Sequence, residues 1–193
     1  SIEFQIQAGA LAKATVSGMF RNVTRQSRTS SFAAQRTPGG KPWVWDMASI
    51  QVGPGVSSLA AKTNYESLTI KLETPTEGVV LLDGTKKYGE FQVNGFRRVS
   101  ISGTLSFRAQ TEYDAFLAYQ NNFLRVSMSN TSSDQVIGNP ASAYAFALQL
   151  DIPQVKYLTW STPIGGPNRL TSQFTAKAEL DVTSLYMISA QLT

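Results

Sequence analysis

The chain of 193 residues contains no cysteine and no histidine. These two absences remove disulfides, thiol chemistry, zinc sites and every histidine-based triad at once. The missing cysteine argues against a disulfide-stapled secreted scaffold and leaves the compartment open. Charge is sparse too: Asp, Glu, Lys and Arg make up 16% of the chain, against about 25% in ordinary globular proteins. Ser, Thr, Asn and Gln carry the polar surface instead, and such a surface resists association less than a charged one. The net charge is +4 with the basic residues scattered, too weak a signal for a nucleic-acid or membrane footprint. No apolar run approaches the ~20 residues of a membrane span, and the N-terminus lacks a signal pattern. Ser1 fits either loss of an initiator Met or a chain cut from something longer, and the sequence leaves both open.

What is present is a hydrophobic fraction of 42%, enough for one substantial core. The stretch from Arg97 to Asn122 organises the rest. Val99, Ile101, Leu105, Phe107 and Ala109 alternate with Arg98, Ser100, Ser102, Thr104, Ser106 and Arg108, with Gly103 among the apolar set. Period-two alternation predicts a long half-buried strand. The pattern then changes: Thr111 reads as an N-cap with Asp114 three residues on, and Tyr113, Phe116, Leu117 and Gln120 share one helical face stopped by Asn121-Asn122.

Elsewhere strands alternate with turn chemistry. Ile2–Gln7, Ala10–Phe20, Ile50–Val52, Tyr65–Glu73, Val79–Leu82, Phe91–Val93 and Leu124–Met128 read as strands, with Asp83-Gly84 as a hairpin-grade turn. Tyr144, Phe146, Leu148, Leu150 and Ile152 form a stripe that should end at Pro153, with an extended run from Val155 to Trp160. Leu170, Phe174, Ala176, Ala178 and Leu180 line one face of the next strand, and Leu185–Leu192 closes the chain. About ten strands and one helix are expected: a mainly β, antiparallel sandwich with one flanking α-helix. The chain reads as a single domain over 1–193, its core including Leu105, Phe107, Phe116, Phe146, Leu148 and Phe174. Periodicity vanishes only over about 21–42, which holds Arg21, Arg25, Arg28, Arg36 and Lys41 around a Pro38-Gly39-Gly40-Lys41-Pro42 breaker run.

Catalytic constellations fail on spacing. Gly39-Gly40-Lys41 lacks the upstream glycine and following Ser or Thr of a phosphate loop. Asp83, Glu90, Asp151, Glu179 and Asp181 lie on polar strand faces or turns, where solvated carboxylates are the default. Glu179 and Asp181 share a face but are too few for a calcium cage. No catalytic, cofactor or metal residue is assigned, and no enzyme is expected. The Asn22-Val23-Thr24 and Asn130-Thr131-Ser132 sequons matter only in a secretory context. Trp43 and Trp45 share a parity and offer the alternative reading, a monomeric β-sandwich carbohydrate-binding or recognition module.

Long, weakly charged strands leave unpaired edges, and a larger barrel closed with neighbouring subunits removes them. Gly95-Phe96-Arg97-Arg98-Val99-Ser100-Ile101-Ser102-Gly103-Thr104-Leu105 runs into the acidic helix start Thr111-Glu112-Tyr113-Asp114. Downstream come Leu150-Asp151-Ile152-Pro153-Gln154-Val155 and Leu170-Thr171-Ser172-Gln173-Phe174-Thr175-Ala176-Lys177-Ala178-Glu179-Leu180-Asp181. This order of features resembles the tail tube proteins of long-tailed bacteriophages, over most of the chain.

The resemblance implies a structural virion protein of the phage tail. Its subunits form six-fold rings whose inner sheets join into one barrel. The rings stack into a tube with the other tail proteins, and DNA passes through the lumen without sequence-specific binding. Membrane insertion and cofactors have no place in that picture. The family's lumen is usually acidic whereas this chain is net basic, so its surface charge should be segregated. Some relatives carry two such domains, and a chain opening on the Ile2–Gln7 strand fits the second of them. The hydroxyl-rich face of Ser100, Ser102, Thr104 and Ser106 is expected at the lumen or on a solvated sheet surface. Arg21, Arg25, Arg28, Arg36 and Lys41 are expected to bridge rings through acids such as Glu66, Glu73, Glu77 and Asp83.

Overall fold

Alternation becomes architecture in the computed structural model, which describes residues 1–19, 43–80, 88–108, 110–129, 136–137, 144–145, 147–163, 169–184 and 186–192. Among them are fourteen β-strands and one α-helix. In order these are β1 (Ile2–Gln7), β2 (Lys13–Val16), β3 (Ala48–Gly53), β4 (Ala60–Lys62), β5 (Tyr65–Glu73), β6 (Thr76–Val80), β7 (Tyr88–Val93) and β8 (Arg98–Ser106). Then follow α1 (Thr111–Leu117), β9 (Asn122–Ser129), β10 (Val136–Ile137), β11 (Tyr144–Ala145), β12 (Ala147–Ser161), β13 (Thr171–Ala178) and β14 (Ser189–Leu192).

The main sheet runs β2-β1-β5-β8-β13-β12-β9-β3-β4, with β14 also on β12. It folds over on itself at β12. The first part of that strand pairs with β9 and β14, and the part from Val155 onward pairs with β13. The change of partner falls between Ile152 and Val155, where the register with β9 shifts. Pro153 sits in that irregularity, where the missing N–H costs no ladder bond. The expected stop at Pro153 is therefore corrected: the strand continues through it for fifteen residues in all.

One layer is β2-β1-β5-β8-β13 with the end of β12, and the other is β14, the start of β12, β9, β3 and β4. Between them lies one core. Leu68, Ile70, Val99, Ile101, Leu105, Phe174 and Ala176 face Val52, Leu124, Val126, Leu150 and Ile152 across it, all buried. Phe174 is gripped by rings, with Tyr65, Tyr157 and Trp160 centred 5.9, 5.4 and 6.1 Å away.

The short helix closes one end of this core. Its face differs from the expected one: Leu117 and Gln120 are exposed, while Tyr113 and Phe116 lie 6.1 and 6.3 Å from Trp160. The cap also differs. Thr111 is the first helical residue, Gln110 precedes it without a side-chain cap, and Tyr119 at φ 50° lies just beyond the helix end, before Asn121-Asn122. What fixes the helix is Glu112, buried and 2.8 Å from Lys62 of β4. Outside the sandwich, β6 and β7 form a separate two-stranded hairpin.

Candidate assembly surface

The outward face of the first layer is built row by row from the register. Gln5, Thr69, Ser102, Thr175 and Thr159 lie side by side across β1, β5, β8, β13 and β12. The next row is Gln7, Ser67, Thr104, Gln173 and Ser161. Side chains of alternate residues point to one face, so both rows stand on the same side, away from the core. The result is a carpet of hydroxyls and amides. Much of it lines a shallow depression of about 430 Å³, which also touches Gly103 and Phe174. Thr159 and Thr175 hydrogen bond across it at 2.6 Å.

Apart from Lys13 of β2, charge on this face gathers at one margin, where much of it is paired. Lys71 lies 2.6 Å from Glu73, and Glu179 lies 3.0 Å from Lys156 and 2.8 Å from Lys177. Hydrogen bonds from Lys71 hold the Glu73 carboxyl below its ordinary range, and those from Lys177 and Lys156 do the same for Glu179. On β1, β5, β8, β13 and β12 the two central rows carry no ionised group, but Lys13 of β2 extends the first row beyond Gln5.

Gly103 lies beneath the carpet, in the core-side row with Leu68 and Phe174. A Cβ there would stand 2.6 Å from the Ser67 carbonyl oxygen and 2.9 Å from the Phe174 ring. The Ser67 hydroxyl accepts a bond from the Thr104 N–H at 3.2 Å, beside a register shift between Tyr65 and Ser67.

Of the expected lumen residues, Ser100 and Ser102 are exposed and Thr104 is half-buried. Ser106 is corrected: it is buried, its N–H bonded to the Asn64 carbonyl at 2.7 Å and its carbonyl accepting from Asn64 Nδ2 at 3.3 Å. Ser106 stays in the ladder opposite Thr171, with Asn64 on its other side. Among the expected core residues, Leu105 and Phe174 are buried, while Phe107, Phe116 and Leu148 are half-buried. Phe146 lies outside the described residues.

Arg21, Arg25, Arg28, Arg36 and Lys41 also lie outside the described residues, as do Asp83 and both sequons. Their expected partners are engaged within the subunit. Glu66 lies 2.9 Å from Arg169, Glu73 pairs with Lys71, and Glu77 accepts from Asn94 at 2.9 Å. The Glu73 and Glu77 contacts are exposed enough to exchange partners at little cost, whereas the Glu66 oxygen facing Arg169 is buried.

The aromatic platform is not formed. Trp45 enters a 3-10 turn spanning Trp45–Met47, so the shared parity with Trp43 is lost. Trp43 lines an apolar slot with Phe4, Met128 and Leu148, whereas Trp45 lines a different groove with Ile6 and Ile50. The candidate carboxylates are not brought together either. Asp151 is held by Arg125 through two bonds of 2.7 and 2.9 Å, and Asp181 accepts from Ser184 and from Gln154. The reading by alternation missed how bare β2 is, with all four of its residues exposed. Its only signal is the small side chains of Ala12 and Ala14.

The model of the phage tail tube protein family matches residues 1–183. The chain belongs to the phage tail tube protein family. The tube subunit is thus a structural component of the virion tail, not an enzyme, and it polymerises into the tail tube. A solved structure agrees on the fold. The subunit is 13% identical to a chain from the tail of an empty gene transfer agent particle with C6 symmetry, at a TM-score of 0.52, covering 77% of the subunit and 96% of that chain. A chain from the native gene transfer agent virion gives 14% identity and a TM-score of 0.48, over 77% and 96%. One from the six-fold symmetrised anti-feeding prophage baseplate gives 8% and 0.47, over 79% and 97%. No curated protein sequence matches.

Proposed function

We propose that the hydroxyl and amide carpet lines the bore of the tube, that the subunits form six-fold rings, and that DNA crosses the bore during ejection. One observation carries this reading. The two central rows place ten side chains on one sheet face, all hydroxyls or amides. Apart from Lys13 at its β2 edge, such a wall offers a passing polyanion neither cations to bind nor apolar groups to adhere to. The flanking ion pairs join three lysines to two glutamates, leaving one net positive charge and so only a weak field.

Stacking of rings falls to Arg21, Arg25, Arg28, Arg36 and Lys41 by the sequence argument, since arginine forks suit carboxylates across an interface. Labelling tests the wall. Ser102→Cys or Thr175→Cys subunits are assembled, treated with a maleimide-gold cluster and imaged. Gold density on the tube axis supports the reading, and density on the outer surface refutes it. For the DNA, tubes built from Ser102→Lys/Thr175→Lys subunits should retain double-stranded DNA that wild-type tubes release, and equal release would count against passage through this bore.

A further inference from the structure

We propose that Asn94 is a modification site: it deamidates spontaneously through a cyclic imide, and the product loosens the foot of the β6–β7 hairpin. The reaction needs only water, and it can run in the free subunit as well as in a tube.

Among the eight asparagines of the chain, only Asn94 precedes a glycine. The other seven precede residues with side chains, which crowd the approach of the next backbone nitrogen to the amide carbon. Position matters as much as sequence. Asn94 opens the four-residue link between β7 and β8 and is exposed, as are Gly95, Phe96 and Arg97. Gly95 has φ 147°, which side chains rarely adopt, so this bend keeps its glycine. The Gly95 N–H makes no hydrogen bond among the described residues. By contrast, the Asn64 and Asn122 amides donate to the Ser106 and Gln120 carbonyls at 3.3 Å each, and Asn122 is buried at the start of β9. The Gly95 nitrogen, once solvent hydroxide has taken its proton, attacks Asn94 Cγ. A Cγ–N bond forms, the Cγ–Nδ2 bond breaks, and ammonia leaves with a proton from water. Water then opens the five-membered imide. Opening at Cγ restores the main chain and leaves aspartate; opening at the main-chain carbonyl leaves isoaspartate. One water enters and one ammonia leaves, with no oxidation or reduction.

Glu77 sets what the product does. Asn94 Nδ2 donates to Glu77 Oε2 at 2.9 Å, and the Asn94 N–H donates to the Pro75 carbonyl at 2.9 Å. These two bonds close the hairpin just beyond its last pair, Thr76–Val93. Either product replaces the amide donor by a second carboxylate facing Glu77, so a hydrogen bond becomes a repulsion between like charges. Isoaspartate also adds one atom to the main chain between this closure and Gly95. The hairpin has little in reserve. Among the described residues β6 and β7 pair only with each other, and a two-stranded hairpin is marginally stable by itself. Damage at the foot therefore opens the hairpin, while β5 and β8 stay paired in the sandwich. Each event also removes one unit from the net charge of +4.

Peptide mapping tests the site, because trypsin releases Asn94 in a peptide spanning 88–97 as its sole asparagine. The full chain is aged in mildly alkaline buffer made with oxygen-18 water and mapped by mass spectrometry. Peptide 88–97 should convert from amide to acid at least tenfold faster than any peptide holding another asparagine. It should take up the heavy oxygen and contain more isoaspartate than aspartate. Conversion of another asparagine at an equal rate, or a product free of isoaspartate, overturns the cyclic-imide site. Hydrogen exchange then reads the hairpin. Amides of Thr76–Val80 and Tyr88–Val93 should exchange at least tenfold faster in the aged protein than in the fresh one, with β5 and β8 unchanged. Asn94→Gln, whose longer side chain disfavours ring closure, should age without that loss of protection. Equal hairpin protection before and after conversion, or the same loss in aged Asn94→Gln, overturns the loosening.

Discussion

Replacing Gly103 by Ala sets two physical effects of opposite sign against each other. The backbone of Gly103 is not in the left-handed region, so an alanine could adopt it without torsional strain. On entropy alone the substitution would stabilise the fold by about 0.4–1 kcal/mol. Packing argues the reverse. The new methyl would meet the Ser67 carbonyl oxygen at 2.6 Å and two Phe174 ring carbons at 2.9 and 3.0 Å. The carbonyl belongs to the neighbouring strand, and the ring is hemmed in by Tyr65, Tyr157 and Trp160. Neither can retreat freely, so the cost is that of overpacking, about 1–3 kcal/mol. For a chain of this size each kcal/mol moves Tm by about 2–4 °C, so, net of the entropic gain, a fall of up to roughly 10 °C is expected. Thermal melts by far-ultraviolet circular dichroism, at one fixed concentration below the onset of assembly, give the number. The Gly103→Ala/Phe174→Leu double variant should show positive coupling, because the shorter side chain vacates part of the space. An unchanged or raised Tm for Gly103→Ala would refute the packing argument.

Other outcomes follow from the same structure. Lys62→Ala leaves the Glu112 carboxylate buried without its cation and should cost about 3 kcal/mol in chemical denaturation, most of it recovered in Lys62→Met/Glu112→Leu. Leu105→Ala should cost about 2–5 kcal/mol by cavity formation, whereas Ser102→Glu, on the exposed face, should leave the melting curve nearly unchanged. Ser106→Glu should behave like a core lesion and fail to reach wild-type Tm, since that serine is buried. Acid should destabilise the subunit through Glu179, lowered by Lys177 and then Lys156, and Asp181, lowered by the Ser184 hydroxyl and backbone. A carboxyl with a depressed folded-state pKa stabilises fully above its unfolded value, ~4, and loses that contribution as pH falls through the folded value. Tm should therefore decline from about pH 4 downwards, and Asp181→Asn should flatten part of that decline.

Much of this was legible from alternation. Tyr65–Glu73 is a strand over the same residues that the pattern marks, because both of its neighbours are present and Leu68 and Ile70 on one face are buried. The hydroxyl face was readable on β8 alone, where Ser100, Ser102 and Thr104 keep their parity. Its extension to Ser67, Thr159, Gln173 and Thr175 depends on register, which the sequence does not state. Pro153 misled for a physical reason: a proline stops a strand only where its N–H is needed, and here two partners change over. The helix face misled because Glu112 is buried by an ion pair to a residue fifty positions earlier. Trp43 and Trp45 lost their common face to a single 3-10 turn, a local event that strand parity cannot register.

The continuity of β12 has a mechanical consequence. Its first part belongs to one layer and its last part to the other, with no loop between them. Tension entering through β13 is therefore handed along a single covalent backbone to β9, loading two antiparallel ladders in series. The layers cannot shear past one another while that strand is intact; something must unzip first, either at β13 or at β9. A tube built from such subunits resists stretching through peptide bonds and ladder hydrogen bonds, and the greasy core between the layers serves as filling rather than as glue.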